Sequence, residues 1–365
     1  MQIHTDRKDI MDNFKRVQEI NQRLNIDAVL ISNGNNMRYV SGFAGETGYL
    51  YISEKRHAVI TDFRYTYQAE AEAKGYEIVT IGTGGYEEAI GDLVKSDNVK
   101  RLGFESEDML YSNYESLRKA LDFAELVPIK DEVTRLRRIK TPKELERIRQ
   151  AESIGDKVFS EILTFIKPGV TELEVAARIE YLLKLYGGER TSFPAIVASG
   201  VNSSMPHAVP TTKKIEKGDF VTMDFGCVYE GYCSDMTRTV VVGKATDKQK
   251  ELYNLVLEAQ LAALDALKAG LKGKEVDKVA RDIIYNAGYE GCFGHGLGHS
   301  VGLFIHENPR LSQTEEDIIE AGMVETVEPG IYIRGFGGVR IEDLVEVTEN
   351  GIVNYTHSDK SLIEL

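Results

Sequence analysis

The sequence predicts two domains: an α/β domain with a mixed sheet over residues 1–130, and an α+β domain with an internal pseudo-repeat over residues 131–365. Three observations lead there. Strand-like and helix-like segments alternate through the first third, the pattern of an α/β sheet. A basic, polar, helix-initiating run from Arg135 to Arg149 marks a junction between domains. Beyond it, a helix–helix–strand pattern occurs twice.

Taken in order, Ile10, Phe14, Val17, Ile20 and Leu24 recur at helical spacing and predict a first helix. The N-terminal MQIHTDRKDIMDNF has no apolar stretch of signal-peptide type. AVLIS after Asp27, then GYLYIS, HAVIT, YEIVTI and VKRLGF read as short strands, with helices over Arg64–Lys74, Tyr86–Val94 and Tyr111–Leu121. Gly82-Thr-Gly-Gly lacks the further spacing of a phosphate loop and reads as a turn after a strand. Thr141-Pro-Lys-Glu144 places Thr at the N-cap, Pro at the first helical position and Glu three residues on, a capping box. The basic residues around it read as a solvated helix face.

The repeat is visible residue by residue. KPGVTELEVAARIEYLLKLYGG from Lys167 aligns with KAGLKGKEVDKVARDIIYNAGY from Lys268, matching Gly169 with Gly270, Glu174 with Glu275 and Gly187 with Gly288. Thr246-Asp-Lys-Gln249 supplies a second opener of the Thr141 kind. Each copy then runs into strands, GDFVTMDFG and GMVETVEPG, with a carboxylate (Asp224, Glu328) six residues after the leading glycine. Another carboxylate follows in each, Asp235 and Glu342. The predicted architecture is two related halves whose strands face each other and bring four carboxylates together.

Composition narrows the function. Lys plus Arg is 44 against 58 for Asp plus Glu, a net charge of −14, which argues against a nucleic-acid protein, since phosphate binding needs a clustered basic surface. The most apolar stretch, Leu252 to Leu271, is broken by Glu258, Asp265 and Lys268, so no membrane span is expected. Cys227, Cys233 and Cys292 form no CxxC pair and predict free thiols in a reducing cytoplasm.

The chemistry-bearing residues are carboxylates on apolar strands. Alternation in VTMDFG puts Phe220, Thr222 and Asp224 on one face and Val221, Met223 and Phe225 on the other. A carboxylate in that setting must be paired. Any single one reads as a salt-bridged core group; four at one place repel unless cations hold them, which points to metal. Histidine supplies a neutral ligand: His295, His299 and His306 lie in GHGLGHSVGLFIHENP, and His207 in SSMPHA. His295 and His299 are four apart, yet Gly296, Gly298 and the lack of HExxH argue against a zincin helix, and SVGLFIH alternates like a strand.

Asp224 and Asp235 eleven apart, GHGLGHSVGLFIHENP, TVEPGIYI and GVRIED together resemble the pita-bread metallopeptidase family (M24), which includes proline-specific aminopeptidases, proline dipeptidases, methionine aminopeptidases and creatinase. The likeness covers Arg135 to Leu365, and NMRYVSGFAGETGYL in the first third resembles the creatinase-like domain of the proline-specific branch. The resemblance implies a pita-bread catalytic domain and two divalent ions, held by Asp224, Asp235, His299, Glu328 and Glu342, with Asp235 and Glu342 bridging. A mostly oxygen ligand set favours Mn²⁺ or Co²⁺, with Zn²⁺ or Fe²⁺ as alternatives. It further implies attack by a metal-bridged hydroxide, with Glu328 as proton shuttle and His207 and His306 on the substrate carbonyl and oxyanion. His295 is either a neighbour of the site or a structural ring. Arg340 pairs with site carboxylates or substrate, and Arg310 matches a position that in proline dipeptidases holds the substrate C-terminal carboxylate. The implied substrate has proline in second position, as a peptide for an Xaa-Pro aminopeptidase or a dipeptide for a strict Xaa-Pro dipeptidase. A homodimer is implied by the family alone. Creatinase does not keep the metal set, and a non-catalytic binding protein on this fold would have no reason to retain every ligand.

Overall fold

The computed structural model describes residues 7–365, with side chains from residue 13 onward, so Ile10 and the start of the N-terminal segment lie outside the described side chains. The chain divides into two compact units, Met1–Arg137 and Arg138–Leu365.

The first unit runs α1 (Arg7–Leu24), β1 (Ala28–Ile31), α2 (Gly34–Ser41), β2 (Tyr49–Ser53), β3 (His57–Thr61), α3 (Thr66–Glu72), β4 (Glu77–Thr80), α4 (Gly85–Asp97), β5 (Arg101–Phe104), α5 (Tyr111–Ala120), β6 (Glu125–Pro128) and the single turn α6 (Glu132–Arg135). Its six strands form one mixed sheet in the order β4-β3-β2-β1-β5-β6. β1–β5, β5–β6 and β3–β4 pair parallel, while β1–β2 and β2–β3 pair antiparallel. Ala28, Leu30, Tyr51 and Ile60 pack against Ile90, Leu93 and Val94 of α4 and Leu117 of α5. The mixed sheet read from alternation is therefore present. Three elements escaped that reading, one of them the single turn α6. α2 is too short to show a period; Asn33 caps it by accepting from the Asn36 amide at 3.0 Å, and Gly42 ends it at φ 83°. β6 ends in Pro128, tolerated because β6 is an edge strand.

The second unit continues with α7 (Pro142–Ile162), α8 (Glu172–Leu185), β7 (Arg190–Thr191), β8 (Ile196–Ser199), β9 (Phe220–Phe225), β10 (Cys227–Tyr229), β11 (Tyr232–Cys233) and β12 (Met236–Val241). Its second half holds α9 (Asp247–Ala266), α10 (Gly273–Ile284), β13 (Gly298–Ser300), β14 (Glu307–Leu311), β15 (Val324–Val327), β16 (Gly330–Ile333), β17 (Gly337–Arg340), β18 (Asp343–Thr348) and β19 (Gly351–Asn354). The duplication read from sequence is written into the backbone. Thr141 with Glu144, Thr171 with Glu174 and Thr246 with Gln249 form capping boxes at α7, α8 and α9. At α10 Glu275 accepts from the Lys272 amide at 2.7 Å, half of the same device. The matched glycines take the same left-handed turn: φ is 94° and 91° at Gly169 and Gly270, and 107° and 89° at Gly187 and Gly288.

Each half has its own core and its own hairpin. Val221, Met223 and Phe225 of β9 pack with Ile154, Val158, Ile179 and Leu182 of α7 and α8, as the alternation predicted. Val256, Ala263, Val276 and Ala280 of α9 and α10 pack with Val327 and Val345. β9 pairs antiparallel with β12, and β15 with β18. Asp224 lies near the end of β9 and Asp235 just before β12; Glu328 follows β15 and Glu342 precedes β18. The two hairpins thus present their carboxylates at equivalent points.

Two local expectations are corrected. SVGLFIH does not continue as a strand: the pairing slips between His299 and Ser300, and Gly302–His306 runs as a series of bends, with the Gly302 carbonyl accepting from the Cys233 amide at 2.8 Å. The basic junction is not a solvated face throughout. Arg137 and Lys140 are buried: Arg137 Nη1 donates to Asn36 Oδ1 at 2.7 Å, and Lys140 Nζ lies 3.5 Å from a Glu307 carboxylate oxygen.

Candidate metal centre

Strands and loops from both halves of the second unit deliver the predicted side chains to one place. All ten residues singled out in the sequence line one cavity of about 420 Å³, whose remaining wall is apolar and includes Phe193, Ile196, Ala208 and Pro210.

Asp224, Asp235 and Glu342 form its floor. Each offers a carboxylate oxygen within 4.8 Å of the others, and all three residues are buried. Asp224 and Glu342 each have one oxygen engaged by the protein: Arg340 Nη2 donates to Asp224 Oδ2 at 2.6 Å, and Thr237 Oγ1 donates to Glu342 Oε2 at 2.6 Å. The other oxygens, Asp224 Oδ1 and Glu342 Oε1, are buried with no partner, as is Asp235 Oδ1. Burial, and then the carboxylates around them, push the Asp235 and Glu342 carboxyls well above their ordinary range. Burial likewise lifts Glu328 to about 7.

His299 adds a second sign of a cation. Its Nδ1 lies 3.1 Å from the Ser300 carbonyl and must donate to it, so Nε2 is left with a lone pair. That lone pair faces Asp235 Oδ2 at 3.5 Å and Glu328 Oε1 at 3.6 Å. Burial and the neighbouring His306 push the ring down to about 3, so protonation does not resolve the conflict. Acceptors facing acceptors, with orphaned carboxylate oxygens beside them, fit a divalent cation bound by oxygen and one imidazole. Gly298 permits the arrangement: a Cβ there would lie 1.9 Å from the Thr326 carbonyl, so only glycine lets β13 approach β15 this closely.

The other predicted residues take distinct places. Arg340 is buried and also donates to Thr237 Oγ1 at 3.0 Å and to the Tyr332 hydroxyl at 2.7 Å. The Tyr332 hydroxyl in turn meets His295 Nε2 at 2.9 Å, while His295 Nδ1 faces the Gly296 carbonyl at 2.8 Å. Both nitrogens of His295 are therefore spent on the protein, and burial pushes the ring down to about 4. His306 stacks edge-on against His299 with centroids 4.7 Å apart and is itself exposed, as is His207 on the loop after β8. Arg310 sits opposite His299 in the β13–β14 register.

Sequence reasoning missed Thr237, Thr326, Tyr332 and Glu152. The Asp235 amide donates to Glu152 Oε2 at 3.3 Å, and Thr326 Oγ1 donates to Glu328 at 3.2 Å. Period-two spacing could have found the two threonines, each two residues from a site acid. An acid on the apolar stripe of α7, beside Ile148 and Ala151, was the signal for Glu152.

Comparison with known proteins agrees with this geometry. Residues 146–349 match the model of metallopeptidase family M24, and residues 14–139 that of the creatinase/prolidase N-terminal domain. The chain is similar to a structure of an Xaa-Pro dipeptidase from Bacillus anthracis, with a TM-score of 0.94 and 46% identity, over 98% of this chain and 100% of that one. It is 40% identical to an Xaa-Pro dipeptidase of Pyrococcus horikoshii over 97% of this chain and 100% of the relative. A structure of an X-Pro aminopeptidase from Thermotoga maritima matches with a TM-score of 0.88 and 39% identity, over 95% of this chain and 100% of that one. The chain belongs to metallopeptidase family M24, with a creatinase/prolidase N-terminal domain ahead of a pita-bread catalytic unit.

Proposed function

We propose that this protein is a metallo-exopeptidase that hydrolyses the Xaa-Pro bond at a free N-terminus. The observation that carries the reading is the floor of the cavity, where three buried carboxylates each keep an unpaired oxygen beside the Nε2 lone pair of His299. Asp224, Asp235, His299, Glu328 and Glu342 are the proposed ligands of two divalent ions, Mn²⁺ first, with Co²⁺, Zn²⁺ or Fe²⁺ as alternatives. Such ions bring the pKa of a bound water towards neutrality and polarise a carbonyl.

The chain's own groups do the rest. Glu328 is the most open acid beside His299, its side chain 17% exposed against 6% for Asp235, so it is the one placed to accept a proton at its carboxylate and return it to the leaving nitrogen. His207 and His306 face the cavity from outside the carboxylate cluster and donate to the substrate carbonyl as negative charge develops there. An Xaa-Pro bond is a tertiary amide with no N–H. The apolar wall from Phe193 to Ile196, with Ala208 and Pro210, suits a ring that brings no donor to be satisfied.

A strict Xaa-Pro dipeptidase is the second reading, favoured by one observation: Arg310 lines the cavity and can clamp a C-terminal carboxylate. Residence in the cytoplasm, suggested by three free cysteines, and a homodimer, suggested by family resemblance, complete the proposal. The test is hydrolysis of Gly-Pro, a tripeptide Xaa-Pro-Xaa and a longer peptide, with and without Mn²⁺. Cleavage of all three supports the aminopeptidase, and cleavage of Gly-Pro alone the dipeptidase. No Mn²⁺-stimulated hydrolysis of any of them refutes both.

A further inference from the structure

His207 is carried by a loop held close to it by two bonds, one from Arg340 Nη1 to the Pro206 carbonyl at 3.3 Å and one from the Ala208 amide to the Met205 carbonyl at 3.2 Å. Between the 3-10 turn at Gly200–Ser204 and Thr211 the chain has no regular structure, and Met205, His207 and Val209 are all exposed. A donor that must meet a developing charge cannot sit on a wandering loop, because an error of about 1 Å in placement costs on the order of 10²-fold in rate. Something outside the loop must fix it.

Glu172, the first residue of α8, closes both ends of the loop onto one carboxylate. The residue is wholly buried. Oε1 accepts from the Ser199 amide at 2.7 Å, Ser199 Oγ at 2.8 Å and Asn202 Nδ2 at 3.1 Å. Oε2 accepts from Asn202 Nδ2 at 3.2 Å, the Thr211 amide at 3.0 Å and Thr211 Oγ1 at 2.6 Å. A carboxylate has about four lone-pair positions, so this one is saturated, and it is saturated by residues on the two sides of His207. The start of α8 reinforces the knot. The amides of Glu172 and Leu173, which have no partner within their own helix, donate to the Lys213 and Thr211 carbonyls, both at 3.1 Å. None of these donors is a proposed metal ligand, and the carboxylate is not among the residues lining the cavity.

We propose that Glu172 is a positioning residue for His207: it takes no part in binding metal or substrate, and it sets where the His207 imidazole stands in the cleft. The proposal rests on the reading of His207 as a carbonyl-binding group.

The test is a double-mutant cycle on Xaa-Pro hydrolysis by the metal-loaded full chain, using His207→Ala, Glu172→Ala and the double variant, with bound metal measured in each. Glu172→Ala is expected to lower kcat/KM on the order of 10²-fold, mainly through kcat, with metal content unchanged. In the His207→Ala background the same substitution is expected to cost less than about 3-fold, because there is no imidazole left to misplace. Losses that multiply in the double variant, or loss of bound metal in Glu172→Ala, would overturn the proposal. Wild-type turnover in His207→Ala would overturn the reading beneath it, and is distinguishable because that variant leaves Glu172 intact. Should Glu172→Ala fail to fold, Asn202→Ala and Thr211→Val each remove part of the knot and carry the same cycle, with about 10-fold losses expected and the same coupling required.

Discussion

Asp235→Asn should have opposite effects on stability with and without metal. In the metal-free protein Asp235 stands in a cluster whose carboxylate oxygens lie within 4.8 Å of one another. Two unit charges at that separation repel by about 3.5 kcal/mol at an effective dielectric of about 20, and Asp235 takes part in two of the three pairs. Proton uptake limits the cost. The Asp235 carboxyl is held well above its ordinary value, first by burial and then by Glu342 and Asp224. A carboxyl raised in the folded chain keeps a proton that the unfolded chain has lost, so its stabilisation is full in acid and drains away as the pH climbs past the ordinary carboxylate value of about 4. The slope is about 1.4 kcal/mol per pH unit for such a group. Asparagine has no such slope. Chelated Asp235→Asn should therefore match chelated wild type near pH 5 and exceed it by up to about 4 kcal/mol near pH 8, a Tm gain of up to roughly 8–16 °C for a unit of this size. With Mn²⁺ in large excess the order should reverse, since a ligand bound only by the folded wild type adds about 5.5 kcal/mol at about ten thousand times its Kd. Differential scanning calorimetry at both pH values, with and without Mn²⁺, reads all of this. A variant less stable than wild type under chelation at pH 8 would refute the reasoning, because the cluster would then be held together by something other than a cation.

Three further outcomes are expected. Arg238 is fully buried and donates to Asp343 Oδ1 at 2.9 Å and to the Glu342, Ser358 and Asp359 carbonyls, so Arg238→Met should cost about 3–5 kcal/mol and lower Tm by roughly 6–20 °C; a Tm within 2 °C of wild type would show that those bonds are not needed. Arg310→Ala should raise KM for Gly-Pro by about 10- to 100-fold, the worth of a charge-assisted hydrogen bond, while a longer Xaa-Pro peptide is little changed; equal effects on both would dispose of the clamp. Burial pushes the Cys227 thiol up to about 12, whereas Cys292 is only half-buried, so iodoacetamide at pH 8 should label Cys292 first in the native protein; mass spectrometry finding Cys227 labelled first would contradict that.

Much of the site was legible because the fold makes its carboxylates conspicuous. Asp224 breaks an otherwise apolar strand face, and the doubling of the pattern drew Glu328, Asp235 and Glu342 in after it. What was illegible has physical reasons. The bend at Gly302–His306 follows from backbone bonds made to distant chain, such as Cys233 to Gly302, which no local period announces. Arg137 and Lys140 read as solvent-facing because their neighbours are polar; only the partners they meet in space, Asn36 for Arg137 and Glu307 for Lys140, draw them inside. α2 hid behind its length, although Asn33 and Gly42 marked its ends. Glu172 was invisible for a related cause: an acid just after a Thr N-cap is ordinary dipole chemistry in sequence, and only the fold wraps a loop around it.

The two hairpins each bring two carboxylates, and neither alone makes a site. A cation held between them at the proposed site would in effect be a non-covalent crosslink across the duplication, so its binding free energy would also be free energy of docking one half onto the other. Any fluctuation that parts β12 from the Glu342 end of β17 must release it, breaking the Thr237–Glu342 and Arg340–Asp224 bonds together. The rate at which bound metal exchanges with metal in solution is then a clock for the breathing of the whole catalytic unit, measurable with no substrate present.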